Sequence, residues 1–189
     1  MQRRHQQSSD PLEAAFKQLL AESSVGLPNA PSARAIATFW RTKLLYGEGK
    51  NPAPRIKRIP LSTQDPIAIV DVAIHLVCPH HLTVALGVAH LAFLPSRFTT
   101  SLGSLSRLIQ ICTARRLLQE DATRLIIDSL VERLGPRAAI ALIDARHPCH
   151  HLRHPRSMLS LIRTRADHGE PTHLKRLESL LPPWQPNRH

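Results

Sequence analysis

The sequence predicts an α+β fold, a small antiparallel sheet with helices packed on one face. Three observations predict it. Two pairs of strand-like segments are separated by a pair of helix-like ones, an order that segregates helices from strands. Hydrophobic residues make up 42% of the 189 residues, enough for a packed core. Aromatic residues make up only 4%, so that core is built from Leu, Ile, Val and Ala.

Each element has its own signal. Residues 1–9 are polar and read as frayed. Asp10-Pro11 reads as an N-cap followed by proline at the first helical position, and Leu12, Phe16, Leu19 and Leu20 follow at helical spacing. Gly26, Pro28 and Pro31 break that helix. A second helix starts near Ser32, carries Ala33, Ile36, Ala37, Trp40 and Leu44 on one stripe, and ends at Gly47-Glu48-Gly49. Pro52, Pro54, Pro60 and Pro66 leave residues 47–66 as a connector with at most edge strands. Residues 67–77 are β-rich, and plain alternation puts Val70, Val72, Ile74 and Leu76 on one face. Residues 83–94 alternate around Gly87 and supply an antiparallel neighbour. Residues 104–119 read as a helix with Leu105, Leu108, Ile109, Cys112 and Arg116 on one side. Asp121 is placed to cap the next helix, whose face is Leu125, Ile126, Leu130 and Leu134 and which Gly135-Pro136 stops. Residues 138–145 form an apolar strand, 157–164 alternate again, and 171–181 form a short helix before a proline-rich tail. The organisation expected is a helical region and connector over 1–66, the sheet domain over 67–181 and a tail over 182–189.

Charge narrows the partners. Lys and Arg number 25 against 14 Asp and Glu, a formal charge of +11, with 12 histidines besides. That excess calls for an anionic partner, either nucleic acid or a phosphorylated small molecule. No apolar run approaches the roughly 20 residues of a membrane span, so no membrane partner is expected. The opening MQRRHQQSSDPLEAAF lacks the apolar core of a secretory signal. Three cysteines, Cys78, Cys112 and Cys149, are too few and odd in number for a disulfide scaffold. A reducing cytoplasm is the expected compartment, where cysteines bind metal or react.

Metal-capable side chains concentrate in two short segments. Cys78-Pro79-His80-His81 sits at the turn between the first two long strands. His147-Pro148-Cys149-His150-His151 follows the apolar strand. Both stand at strand ends, where a sheet can bring distant segments together. Two thiolates and an imidazole make a three-ligand zinc set. A fourth position left to water would make such a site catalytic, because the metal lowers the water's pKa toward about 7.

These residues resemble those of the GTP cyclohydrolase I family. The family's C-E-H-H is matched by Cys78-Pro79-His80-His81, and the Leu/Ile-Pro end of its next strand by Phe93-Leu94-Pro95. Its helical R-x7-R-x3-Q-E run is matched by Arg107, Arg115, Gln119 and Glu120, followed by Thr123. Its H-x-C-x3-R is matched by His147, Cys149 and Arg153, and its T-P-x-R segment by Pro31-Ser32-Ala33-Arg34. The resemblance covers roughly residues 28–181. It implies the tunnelling fold: a four-stranded antiparallel sheet with two long helices on one face, sheets of several copies closing into a barrel, and a homo-decamer of two pentamers with sites between subunits. It implies that Cys78, His81 and Cys149 hold Zn2+ and that the reaction opens the imidazole ring of the guanine of GTP. Formate leaves, and the remainder rearranges to 7,8-dihydroneopterin triphosphate. His147 is implied as the group that protonates the ring nitrogen, and His80 as acid or base on the ribose. Glu120 would accept from the guanine N–H edge with Gln119 beside it. Arg107 and Arg153 would pair with the triphosphate, and Arg34 with the phosphates in a neighbouring subunit's site.

The chain departs from the family at Pro79, where Glu is usual, at Val77, where Ser is usual, and at Ser101-Leu102-Gly103-Ser104, where the family has G-L-S-K. Losing the lysine at 104 removes a phosphate contact worth about 1–3 kcal/mol. A paralogue that acts on another guanine nucleotide, or stops after ring opening, is the alternative. The rival from another class is a zinc-stabilised basic nucleic-acid-binding module, motivated by the +11 charge and the arginines of 153–165. One Tyr and four Phe leave few stacking platforms for it. His75, His90, His150, His151 and His154 read as solvated or structural, and Cys112, on an apolar stripe, as core.

Overall fold

The fold is taken from a computed structural model that describes residues 10–22, 31–53, 56–61, 63–153 and 160–184, and it divides into two units, residues 1–43 and 44–189. The N-terminal unit holds helix α1 (Pro11–Glu22) and helix α2 (Ala33–Phe39), the latter continued by a π-helical turn over Trp40–Leu44. The Asp10 cap acts as its sequence predicts, and Ser32 caps the second helix. Asp10 accepts from the Leu12 amide at 3.0 Å, and Ser32 Oγ from the Ala35 amide at 3.2 Å. Phe16 packs on Trp40 with ring centroids 5.6 Å apart, and Arg41 pairs with Asp10.

The second unit is built on a four-stranded antiparallel sheet in the order β2-β3-β5-β6, with β2 Ile67–Val77, β3 Val84–Leu94, β5 Ala138–Arg146 and β6 Ile162–Gly169. A two-stranded pair, β1 (Ile59–Pro60) and β4 (Phe98–Thr99), lies in the connector and after β3. Helices α3 (Leu102–Thr113) and α4 (Gln119–Leu134) bury Leu105, Leu108, Ile109, Ile126, Ile127 and Leu130 against one face of the sheet. That face receives Ala89, Leu91 and Phe93 of β3 and Ala139, Ala141 and Ile143 of β5. Residues of the opposite parity, Ala92, Leu94, Ala138, Ile140 and Leu142, pack under Leu174 and Leu177 of the short helix α6 (Pro171–Glu178) on the other face. β5 is therefore covered on both sides, which is why its sequence is continuously apolar. The architecture is α+β, with two long helices on one face of a four-stranded antiparallel sheet, as in the tunnelling fold.

Three boundaries differ from the sequence expectation. In β2 the register shifts between Ile69 and Val72, and Asp71 has φ 55°. This bulge inverts the alternation, so Ile67 and Ile69 face the core before it and Val72, Ile74 and Leu76 after it. Val70, expected inside, is exposed. The helix expected over 104–119 ends at Thr113, and Gln119 opens α4. Arg116 is in the intervening loop, bridged to Val77, and Asp121 lies in the first turn of α4, whose N-cap is Leu118. The last strand runs later than 157–164, of which 157–159 lie outside the described residues. Its inward residues are small, Thr164 and Ala166, and its charged ones, Arg165 and Asp167, face outward and pair with each other, so its hydrophobic alternation is faint.

Gly87 of β3 stands opposite Ala145 of β5, and a Cβ there would lie 2.0 Å from the Asp144 carbonyl oxygen. Gly87→Ala should force the two strands apart. The expected loss is at least the roughly 1–3 kcal/mol of an overpacked core, read as a lower thermal midpoint.

Candidate active site

β2 and β5 both run antiparallel to β3, so their C-terminal ends lie at the same end of the sheet. The first residue of β6 and the N-terminus of α4 meet there too, since the Gln119 amide reaches Ile143 and Ile162. Topology therefore brings residues 78–81, 119–120 and 147–150 together.

The first segment is a tight turn. Cys78 N–H donates to the Thr83 carbonyl and Leu82 N–H to the Cys78 carbonyl, both at 2.9 Å. Leu82 closes the turn with φ 54°, a left-handed conformation that costs a leucine about 1–2 kcal/mol. Pro79 occupies the first position of this turn, where its fixed φ suits the geometry and no amide is required. The departure from Glu at this position thus leaves the turn intact. One helical-type turn sets Cys78 and His81 on the same side.

From the second segment, helix α5 (Pro148–Arg153) carries Cys149 to the same point. Cys78 Sγ lies 3.6 Å from His81 Nδ1 and 3.9 Å from Cys149 Sγ, and the three ligand atoms lie within 4.8 Å of one another. A tetrahedral zinc with Zn–S of about 2.3 Å and Zn–N of about 2.0–2.1 Å requires S···N near about 3.6 Å and S···S near about 3.8 Å. The Cys78–His81 and Cys78–Cys149 separations match those values, and two thiols with one imidazole are a donor set of the kind zinc takes. Both cysteines are free thiols.

Beside this triad lies a cleft of about 240 Å3, whose walls include His80, His81, Glu120, His147 and His150. Gln119 is buried behind it. Its amide nitrogen donates to the Ile143 carbonyl at 2.8 Å and the Ile162 carbonyl at 3.0 Å, which turns Oε1 toward His147 Nε2 at 2.8 Å. His147 Nε2 must therefore carry a proton, and its exchangeable position is Nδ1. Burial pushes the His147 pKa below its ordinary value, the Glu120 carboxylate works against that, and His150 adds to it. Gln119→Leu should leave the ring unanchored. Loss of such a supporting hydrogen bond is expected to lower turnover about 10–100-fold.

Of the residues singled out from sequence, Cys78, His80, His81, Gln119, Glu120, His147 and Cys149 gather at this cleft. Arg107 on α3 and Arg153 on α5 are exposed and lie outside its described lining. Arg34 is an exposed residue of α2 in the N-terminal unit. Arg115 is committed to the backbone, donating from Nε to the Ile111 carbonyl at 2.6 Å and also bonding the Lys50 carbonyl. His150, taken from sequence as solvated or structural, is a wall of the cleft, and its place one residue after Cys149 was the available signal. His75 and His90 are structural: His75 Nε2 bonds the Leu44 carbonyl at 3.1 Å, and His90 is buried. Cys112 is core, its thiol pushed up to about 12 by burial and so unreactive.

A larger cavity, about 360 Å3, lies elsewhere, against the sheet residues Asp71, His90, Asp144 and Arg163. Asp144 receives two hydrogen bonds from Arg163, both at 2.6 Å, and stands 3.5 Å from His90 Nε2. The Asp71 amide donates to His90 Nδ1 at 3.1 Å. These groups satisfy one another, so size alone does not mark that cavity as the reactive one.

Comparison with known proteins agrees with the geometry. The family model described as GTP cyclohydrolase I matches residues 15–180. GTP cyclohydrolase 1 of Streptococcus pyogenes serotype M1 is 34% identical over 109 residues, 57% of this chain and 56% of that protein. GTP cyclohydrolase 1 of Maricaulis maris is 35% identical over 85 residues, 45% and 42% of the two chains. The match thus spans about half the length of these curated relatives. Among solved structures, the apo form of the archaeosine synthase QueF-Like aligns with a TM-score of 0.48 and 12% identity, over 58% of this chain and 98% of that one. No helix among the described residues is long and apolar enough to cross a membrane.

Proposed function

Since the chain belongs to the GTP cyclohydrolase I family, we propose that it hydrolyses the imidazole ring of the guanine of GTP, releases formate and completes the rearrangement to 7,8-dihydroneopterin triphosphate. The observation that carries this is the convergence of Cys78, His81 and Cys149 on one point at the edge of a cleft that also holds His147 and Glu120. Cys78, His81 and Cys149 would hold zinc, which would supply electrophilic activation of water at neutral pH.

The protein's own groups do the rest. Glu120, at the exposed start of α4, accepts hydrogen bonds from the guanine N–H edge, a contact adenine does not offer. His147, held by Gln119 through Nε2, delivers a proton from Nδ1 to the ring nitrogen and makes the adjacent carbon electrophilic. The Glu120 charge favours the protonated ring that this step needs. His80, exposed on the cleft wall, is free of the ligand triad and serves the later proton transfers on the ribose. Arg107, Arg153 and, from another copy, Arg34 attract the triphosphate. Among the described residues β2 and β6 end the sheet with unpartnered edges, which closure with further copies into a homo-oligomer would cover. The compartment proposed is the cytoplasm.

One observation favours the paralogue as second reading. Ser104 stands where the family has lysine, and its hydroxyl lies 3.0 Å from Ser101 Oγ. Incubation of the purified protein with GTP separates the two. Formate with a fluorescent oxidised pterin is the expected result, and formate alone supports an arrested reaction. Absence of formate from every guanine nucleotide, with zinc loaded, overturns both. His147→Ala is the control and should lower turnover by about 10²–10⁴-fold.

A further inference from the structure

We propose that Thr164, on β6, is a positioning residue of the cleft: through Thr123 it pins the first turn of α4, and with it Gln119, Glu120 and the ring of His147. Its effect on turnover rests on the guanine-nucleotide reading above, whereas the pinning itself does not.

The need for such a residue follows from how α4 begins. Gln119 and Glu120 are its first two residues, and its N-cap is Leu118, which makes no side-chain cap bond. Leu118 is also exposed, so packing does little to hold it. The first amides of a helix lack partners within it, and a start without a capping side chain frays. Two functional side chains placed there are poorly fixed by the helix alone.

What fixes them comes from the sheet. The Gln119 amide bonds to the Ile143 and Ile162 carbonyls, which ties down the side chain. The backbone of the turn is held separately. Thr123 Oγ1 donates to the Gln119 carbonyl at 2.7 Å and lies 2.6 Å from Thr164 Oγ1. A carbonyl only accepts, so the Thr123 proton is committed there and Thr164 donates to Thr123. Thr164 stands opposite Ile143 in the β5–β6 ladder. Both anchors of Gln119 therefore lead to the same place in the sheet, and the bonds close a loop through Ile143, Thr164 and Thr123. Thr123 is fully buried and Gln119 nearly so, which strengthens these bonds. His147 Nε2 follows Gln119 Oε1 at 2.8 Å, so a drift of the turn moves the proton donor. A misplacement of about 1 Å is enough to cost about 10²-fold in rate. Arg124 gives the contrast. Its Nη1 bonds the Asp167 carbonyl at 3.2 Å and so also joins α4 to β6, but it is exposed and does not touch Gln119.

The test measures kcat and KM for formate release from GTP by the zinc-loaded, full-length protein. Thr164→Val keeps the branched shape that suits a strand and removes only the hydroxyl. Its kcat should fall about tenfold, the lower end of the loss of a supporting hydrogen bond, with zinc content unchanged. Thr164→Ser keeps the hydroxyl and should recover most of that loss, although it gives up a methyl group. Arg124→Ala should leave kcat unchanged. An unaltered kcat in Thr164→Val, a fall matched by lost zinc, or an equal fall in Thr164→Ser or Arg124→Ala overturns the role. If Thr164→Val does not fold, Thr123→Val breaks the same bond from the helix side and is judged by the same loss, with Thr123→Ser as its rescue. If the wild type releases no formate, the guanine reading fails, and amide hydrogen exchange decides the pinning alone. Faster exchange over residues 119–125 in Thr164→Val but not in Thr164→Ser upholds it. Equal exchange in the wild type and Thr164→Val overturns it.

Discussion

Cys149→Ala abolishes formate release from GTP and leaves the purified protein without stoichiometric zinc: this is the largest effect expected of any single substitution. Cys149 is the one ligand that comes from a distant segment, 3.9 Å from the Cys78 sulfur. Cys78 and His81 alone share a single turn and offer two donors, too few for a closed or catalytic zinc site. Electrophilic activation by zinc is worth several kcal/mol, so turnover should fall by at least about a thousandfold. Chelation of the wild type should produce the same loss, reversed by adding zinc back. Cys112→Ala is the matched control, because that thiol lies in the core between α3 and α4 and takes no part in the triad. Full activity in Cys149→Ala, with metal content unchanged by metal analysis, would falsify the assignment of the site.

Asp144→Ala is expected to give the largest loss of stability. The Asp144 side chain is 9% exposed and holds Arg163 through two hydrogen bonds, with His90 beneath it. Arg163 also reaches the Pro182 carbonyl and lies over the Trp184 ring, so the ion pair ties β5, β6 and the segment after α6 together. Removing one partner of a buried pair costs about 3–5 kcal/mol. For a chain of this size that lowers the thermal midpoint by about 10 °C or more. An unchanged midpoint would show that Arg163 finds equal solvation without its partner.

The same cluster gives stability a pH dependence of defined sign. Burial pushes the pKa of His90 below its ordinary value; Asp144 and Asp71 oppose this, and Arg163 reinforces it. The folded state therefore holds His90 neutral, while the unfolded chain takes up a proton below about pH 6.5. The stabilisation is complete above that value and is lost as pH falls toward the depressed folded value. His147 contributes in the same direction. Denaturant midpoints should rise between mildly acidic and neutral pH, and His90→Asn should flatten that rise by one proton's worth. A rise of the same slope in the variant would assign it to other groups.

Much of the candidate site was legible because its chemistry is local. Cys78 and His81 belong to one turn and His147 and Cys149 to another, so residue type and spacing marked both segments as metal-capable, while Gln119 and Glu120 were singled out by the family resemblance. The phosphate-facing arginines were less well served. Arg107, Arg153 and Arg34 were chosen by register, and the described cleft lining contains none of them. The hydrogen-bond partners of Gln119 were not legible in the sequence. Gln119 was expected beside Glu120 facing substrate, whereas its amide is taken up by two carbonyls and His147. A glutamine shows in sequence that it can hydrogen-bond, but its partners come from strands 24 and 43 residues away.

By itself the sequence determined the strand and helix types, the cap at Asp10, the aliphatic core and the two metal-capable segments. All of these follow from periodicity or from neighbours within a few residues. Only the tertiary structure decided the bulge at Asp71 that reversed the faces of β2, the break between α3 and α4, and the meeting of residues 78 and 149. Those outcomes depend on how strands 71 residues apart align across a shared neighbour. Cross-strand hydrogen bonds and packing set that alignment, and they act between segments whose order along the chain carries no record of their distance in space.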